Sequence, residues 1–313
     1  MRGSNAVVGR GVSRSLNAEE ASDLMARFGA EACLLAGGTD VLVDVKRGHF
    51  RSAHVVSLSR IASLQGVLAG DDAIRIGALT TINQLAASAV VCERFSAILD
   101  ATRKIAGPQI RNMATVGGNL CNANRCADLP PIFMAMSAKV VLWSRADQRE
   151  LPLEAFFTGP KQTAKRPGEV LTEIVIPYPP KNFGAAYACF SLRESNAISV
   201  AGVAASLVLD AAGIVCTARI GVAAVAPTPK LMVGAAALLT GRPLDEVSLS
   251  RAAAAAIESS DAISDIRGEA DFRRVLAGDL TRTALLKAHE RAQTEQASKQ
   301  QQQRPTAGQE MEW

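Results

Sequence analysis

Two short apolar runs in this chain each break on a double glycine: Leu34-Leu35-Ala36-Gly37-Gly38-Thr39-Asp40 and Ala114-Thr115-Val116-Gly117-Gly118-Asn119. Glycine lets a backbone take positive φ and approach a ligand with no Cβ in the way. Successive amides at such a turn form an anion-binding nest, and Thr or Asn adds side-chain donors for phosphate oxygens. One such break is usually only a turn. Two of them, about 80 residues apart and each leaving a strand-like run, point to a diphosphate gripped from two sides.

The chain of 313 residues is long enough for two domains, each with its own core. Its net charge of +4 and scarce aromatics argue against nucleic acid as a partner. No run approaches eighteen unbroken apolar residues, so no membrane span is expected. The start, Met1-Arg-Gly-Ser-Asn5, has no apolar stretch behind its Arg, which argues against a secretory signal. Six cysteines are too few for a disulfide scaffold at this length, so a cytoplasmic chain with reduced thiols is expected.

Along the chain, Asn17 as an N-cap, with Glu20 three residues on, predicts a helix over 17–28. Strands are expected at 32–35, 55–58, 74–78, 139–143 and 171–176, with Thr80 or Thr81 capping a helix through Leu85. A longer helix is expected over 91–105, stopped by Pro108, and another over 129–136. Pro177-Tyr-Pro-Pro-Lys-Asn182 can continue neither a helix nor an inner strand and marks a domain boundary. Beyond it, strands over 185–192, 199–209 and 215–225 precede helices near 228–240, 245–259 and 269–293, an α+β order. From Thr294 the Gln-rich composition reads as a disordered tail.

No G-x-G-x-x-G follows a strand, and G-x-x-x-x-G-K-[ST], G-x-S-x-G and H-E-x-x-H are missing, so any dinucleotide site here is not a Rossmann one. His49, His54 and His289 are not at metal-ligand spacing. Cys121 and Cys126 lack the partner pair that a zinc or iron–sulfur site needs, so no metal site is expected. Asp128 precedes an apolar helix and reads first as its cap, worth about 1 kcal/mol. Ribose binding by its carboxylate is the compatible functional reading.

These segments also resemble a known family. Ala36-Gly-Gly-Thr-Asp40 is similar to the first FAD loop of the flavoprotein subunits of molybdenum hydroxylases. That group includes xanthine, carbon monoxide and nicotinate dehydrogenases and 4-hydroxybenzoyl-CoA reductase. Pro108-Gln-Ile-Arg-Asn-Met-Ala-Thr-Val-Gly-Gly-Asn119, running on to Ala127-Asp-Leu-Pro130, resembles the second and more specific signature. Ile76-Gly-Ala-Leu-Thr-Thr81, Phe156-Phe-Thr-Gly-Pro160 and Gly168-Glu-Val-Leu-Thr-Glu-Ile-Val-Ile-Pro177 fall in the family's order.

The resemblance implies a two-lobed α+β PCMH-type FAD domain over 1–177. A small C-terminal domain, a three-stranded antiparallel sheet plus helices, would follow over 183–293, with the tail at 294–313. Carried over by motif, Leu34, Leu35, Ala36, Gly37, Gly38, Thr39 and Asp40, with Ile110, Thr115, Gly117, Gly118 and Asn119, would bind FAD, chiefly at its pyrophosphate. Asn122 and Asp128 would contact the pyrophosphate–ribose region, and Leu171 would pack near the flavin. No side chain is assigned a catalytic role, since the flavin carries the redox chemistry.

The implied function is an electron-transfer subunit of an oxidoreductase, partnered by a large molybdopterin subunit and a small [2Fe-2S] subunit as a heterotrimer or its dimer. The external acceptor would be NAD, a quinone or another molecule. A stand-alone MurB-like flavoenzyme and an assembly subunit that has lost FAD are the alternatives. The sequence departs from the family pattern twice. Cys189 stands where many relatives carry Lys. Asn119–Cys126 opens like the iron–sulfur loop of the 4-hydroxybenzoyl-CoA reductase type, but the insertion is missing and no cluster is expected.

Overall fold

The computed structural model describes residues 11–193 and 197–302, so the N-terminal signal reading and the end of the expected tail lie outside the described residues. The chain opens with a parallel three-stranded sheet, in the order Gly11–Arg14, His54–Ser57, Ala32–Leu35. Parallel neighbours need a crossover, and the helix Ala18–Phe28 supplies the first one. Its start is fixed as the sequence predicts: the Asn17 side chain accepts from the Glu20 N–H at 2.8 Å. The Glu20 carboxylate in turn accepts from the Leu16 N–H at 2.9 Å.

A five-stranded antiparallel sheet follows, in the order Val67–Ala69, Ala73–Gly77, Val170–Pro177, Lys139–Trp143, Gln148–Pro152. Ile74, Ile76 and Ile174 of this sheet are fully buried in one core with Ile82, Leu85, Phe95 and Ile98 of the helical layer. The helix Leu129–Ala135 is buried along its whole length. It is held by what comes after the proline break. Ser206 Oγ donates to the Ala135 carbonyl at 2.7 Å and Arg219 Nε to the Met134 carbonyl at 2.9 Å. Those donors satisfy two of the carbonyls that a helix end leaves without partners.

The third sheet is antiparallel, with strands Phe183–Phe190, Ala201–Leu209 and Val215–Ala223. The two-residue edge strand Lys230–Leu231 adds a fourth to the three that were expected. The helices Glu246–Glu258 and Ala270–Gln302 bury their apolar faces with this sheet in a second core. The last helix runs nine residues past 293, through the stretch whose composition reads as tail. Among the described residues, no helix is long and apolar enough to cross a membrane.

Three local expectations change. The helix expected over 91–105 is two helices, Ala89–Arg94 and Ser96–Thr102, broken at Phe95 (φ −131°, ψ 36°). The Phe95 ring is buried and stacks, tilted, against Tyr178 at 5.9 Å, so packing of that ring overrides the local periodicity. Pro108 begins a helical turn, Pro108–Arg111, where its missing N–H has no cost. The helix expected over 228–240 is only Val233–Ala237.

Asp100 ties the last helix to the first core. Its carboxylate accepts from Lys287 Nζ at 2.9 Å and from Arg291 Nη1 at 2.7 Å, while Arg291 Nη1 also donates to the Ala185 carbonyl at 2.7 Å. Burial alone would raise the Asp100 carboxyl, but the hydrogen bonds and charges of Arg291 and Lys287 outweigh it and hold the pKa below the usual value. An unfolded Asp titrates near pH 4. A lowered folded value therefore contributes stability that is complete above about pH 4 and is lost as pH falls through the folded value. Asp100→Asn is expected to lower stability at pH 7 by roughly 1–2 kcal/mol, discounted for the half-exposed lysine, and to flatten the acid limb of a urea-denaturation series.

Candidate functional site

The loop after the strand Ala32–Leu35 is built by two glycines with different tasks. Gly38 has φ +74°, the left-handed region that a side chain resists. Gly37 packs directly on the second loop: a Cβ there would lie 1.8 Å from the Met113 carbonyl oxygen. The two double-glycine segments are thus one structure, in backbone contact.

The second segment is stitched in from its other side. Gly117 N–H donates to the Ala78 carbonyl at 2.8 Å, Val116 N–H to Thr80 at 2.9 Å, and Ile82 N–H to Ala114 at 3.0 Å. The Gly77–Thr81 motif is therefore the clamp for this loop. Here the structure corrects the sequence reading. Val116–Cys121 is a helix and not the end of a strand, with Thr115 as its N-cap. Thr115 Oγ1 accepts from Gly118 N–H at 3.1 Å, and Asn119 N–H donates to the Thr115 carbonyl at 2.9 Å. The amides of Val116, Gly117, Gly118 and Asn119 are already used.

Those of the first loop are not. Among the described residues, the N–H groups of Gly37, Gly38, Thr39 and Asp40 have no protein acceptor. Both segments line a cleft of about 380 Å³. It receives Leu34, Ala36, Gly37, Gly38, Thr39 and Asp40 from one side, and Thr115, Gly117, Gly118, Asn119 and Asn122 from the other. Leu171, with Val170, Leu79, Leu58 and Met25, makes an apolar wall. Asn119 Oδ1 is buried without a hydrogen-bond partner, an acceptor left for a ligand.

Three expected residues are not brought there. Leu35 is not among the residues that line the cleft, although its Cδ1 would lie 3.4 Å from a Cβ on Gly38, and Ile110 is half-exposed on the Pro108–Arg111 turn. Asp128 neither lines the cleft nor caps its helix with its side chain. Its Oδ1 instead accepts from Tyr187 Oη and Ser199 Oγ, each at 2.6 Å, at the junction with the third sheet. Burial raises the Asp128 carboxyl despite those donors, and burial together with Asp128's charge pushes the Tyr187 phenol well above its ordinary value. Cys189 lies beside this network, its thiol raised first by burial and then by the Asp128 charge.

Charged side chains also border the cleft. Burial raises the Asp40 carboxyl, against the opposing effect of Lys161. Lys161 Nζ donates to Asn122 Oδ1 at 2.6 Å. Lys165 lines the cleft itself, and its charge opposes the burial that raises the Cys33 and Cys121 thiols. Sequence reading missed Lys165, Cys33, Asp44 and Phe50. Only Lys165 had a signal, since it follows the quoted Phe156–Pro160 motif by five residues.

Four amides without acceptors, an orphaned side-chain oxygen, a nearby lysine and an apolar wall fit a dinucleotide with an anionic centre and a flat hydrophobic end. Comparison with known proteins decides which. Residues 9–179 match the family model described as the FAD-binding domain in molybdopterin dehydrogenase. Residues 185–288 match the CO dehydrogenase flavoprotein C-terminal domain. The chain belongs to the FAD-binding subunits of the molybdopterin dehydrogenases. The carbon monoxide dehydrogenase medium chain of Hydrogenophaga pseudoflava is 32% identical over 266 residues, 85% of this chain and 92% of its own. The xanthine dehydrogenase FAD-binding subunit of Escherichia coli O157:H7 is 33% identical over 260 residues, 82% of this chain and 89% of its own. The solved carbon monoxide dehydrogenase from H. pseudoflava superposes with a TM-score of 0.87 at 31% identity, covering 90% of this chain and 98% of that one.

As a member of this family, the chain is an FAD-binding subunit of an oxidoreductase. Its cleft accommodates no side chain at the contact between its two loops. Gly37→Ala is expected to force them apart, at a cost of roughly 1–3 kcal/mol of stability, and to abolish retention of FAD through gel filtration. Retention of a full complement of flavin by that variant would contradict the arrangement.

Proposed function

We propose that this chain holds FAD between its two double-glycine segments as the electron-transfer subunit of a molybdenum-dependent hydroxylase or dehydrogenase. The observation that carries the reading is the set of four adjacent amides at Gly37–Asp40 without acceptors among the described residues, facing the already bonded amides of Val116, Gly117, Gly118 and Asn119. Those amides, with Lys165, would neutralise the pyrophosphate. Asn119 Oδ1 accepts only, so it suits a hydroxyl of the ribityl or ribose portion better than a phosphate oxygen. Leu171 and Val170 would exclude water from the ring system.

Bound FAD supplies the redox exchange between the partner's one-electron carriers and an external acceptor. The partners in this reading are a large molybdopterin subunit and a small [2Fe-2S] subunit, in a heterotrimer or its dimer, and the cytoplasm is the compartment. The protein's own work is to bind and orient: no side chain in the cleft is assigned proton transfer to an organic substrate.

The test is the visible spectrum of the purified chain, with the released cofactor identified by chromatography. The reading expects flavin bands and close to one FAD per chain. A colourless protein that takes up no added FAD would leave the chain an assembly subunit without a cofactor.

A further inference from the structure

Three arginines converge on one carboxylate in the turn that joins the last two helices. Asp265 accepts from Arg273 Nη2 at 2.6 Å and from Arg125 Nη2 at 3.0 Å, and it pairs with Arg267 Nη2 at 3.2 Å. Arg273 is fully buried, with its Nε donating to the Gly268 carbonyl and its Nη1 to the Val200 and Ala224 carbonyls. Its charge has no outlet except Asp265. Arg125 and Arg267 are then left with a share of one carboxylate already claimed. Their side chains are only 20% and 29% exposed. Among the described residues neither makes another ion pair, and the neighbouring acids Asp261 and Glu269 are exposed and pair with neither. Among the described residues, Arg267 Nη1 also donates to Cys126 Sγ at 3.7 Å, a contact that supplies no carboxylate.

A partly desolvated surplus of two positive charges repels itself and is relieved by an oxyanion. Planar guanidinium forks match phosphate geometry. A second observation narrows the class. Phe190 and Phe272 meet edge to face, with centroids 5.7 Å apart, and both rings are half-exposed. Phe272 lies against the same turn, since a Cβ on Gly268 would sit 3.5 Å from its Cδ1. Ile266, at the tip of the turn, is 99% exposed. An aromatic face beside a cationic pair suits a planar base that carries a phosphate.

We propose that Arg125 and Arg267, with Phe190 and Phe272, form a nucleotide subsite separate from the FAD cleft. The phosphate would lie between the two guanidiniums and the base against the phenyl pair. Arg125 is three residues from Asn122, which lines the cleft, so the two Cα atoms are at most about 11 Å apart. A dinucleotide acceptor anchored here would reach the mouth of the cleft, whereas a neutral quinone has no use for the arginines. The proposal rests on the FAD-subunit reading only for what the ligand does: a dinucleotide acceptor and a nucleotide effector share the chemistry that binds.

The experiment is calorimetric titration of FAD-saturated protein with ADP at fixed ionic strength. Wild type is expected to bind. Arg267→Gln and Arg125→Gln should each weaken binding at least ten-fold, with flavin content unchanged. Phe272→Ala should weaken ADP but leave inorganic phosphate binding as it was. Competition by NADH assigns the subsite to an acceptor, and ADP binding without that competition assigns it to an effector. No binding of ADP to flavin-replete wild type, or equal binding by both arginine variants, overturns the proposal. If wild type takes up no FAD, the cofactor reading fails, and the same titration on that chain still decides the subsite.

Discussion

The contact of Gly37 with the Met113 carbonyl is the constraint on which the cofactor site depends. Two stretches of backbone, one leaving a parallel sheet and the other entering a short helix, meet where no side chain fits between them. The parallel sheet delivers the first through the strand Ala32–Leu35. The segment after the strand Ala73–Gly77 holds the second through the bonds of Ala78 and Thr80. Neither lobe makes the cleft alone. The wall of the cleft is completed by Leu171, from the central strand of the antiparallel sheet.

The two loops look alike in sequence and do different physical work. The second spends its amides on Thr115, Ala78 and Thr80 and becomes a rigid floor. The first leaves its amides without acceptors among the described residues, which is the arrangement an anionic ligand would satisfy. The stretch just after Asn122, from Arg125 to Asp128, then leaves the cleft. Asp128 turns toward Tyr187 and Ser199, where it anchors the helix Leu129–Ala135 to the third sheet, and Arg125 turns toward Asp265.

What could be read in the sequence follows from how local each signal is. The cap at Asn17 and the strand Lys139–Trp143 are set by neighbours within a few residues and stand where expected, and of the two threonines offered as the next cap it is Thr81 that serves. The glycine motifs placed most of the cleft, because close backbone approach leaves glycine as its trace. The break at Phe95 was not readable, since it depends on Tyr178, more than eighty residues away. Asp128 misled for the same reason: its partners Tyr187 and Ser199 come from beyond the proline break, and only the folded chain brings them together. The helical state of Val116–Cys121 was hidden by two glycines, which lower helix propensity, and by Val116, whose branched side chain favours strands.

The central claim is that the ligand-binding donors are the first loop's amides and that the second loop is scaffold. Hydrogen–deuterium exchange with and without saturating FAD reads this residue by residue. The account predicts strong new protection at Gly37, Gly38, Thr39 and Asp40, and little change at Gly117, Gly118 and Asn119, which are bonded already. Protection confined to the second loop, or none at the first, would contradict it.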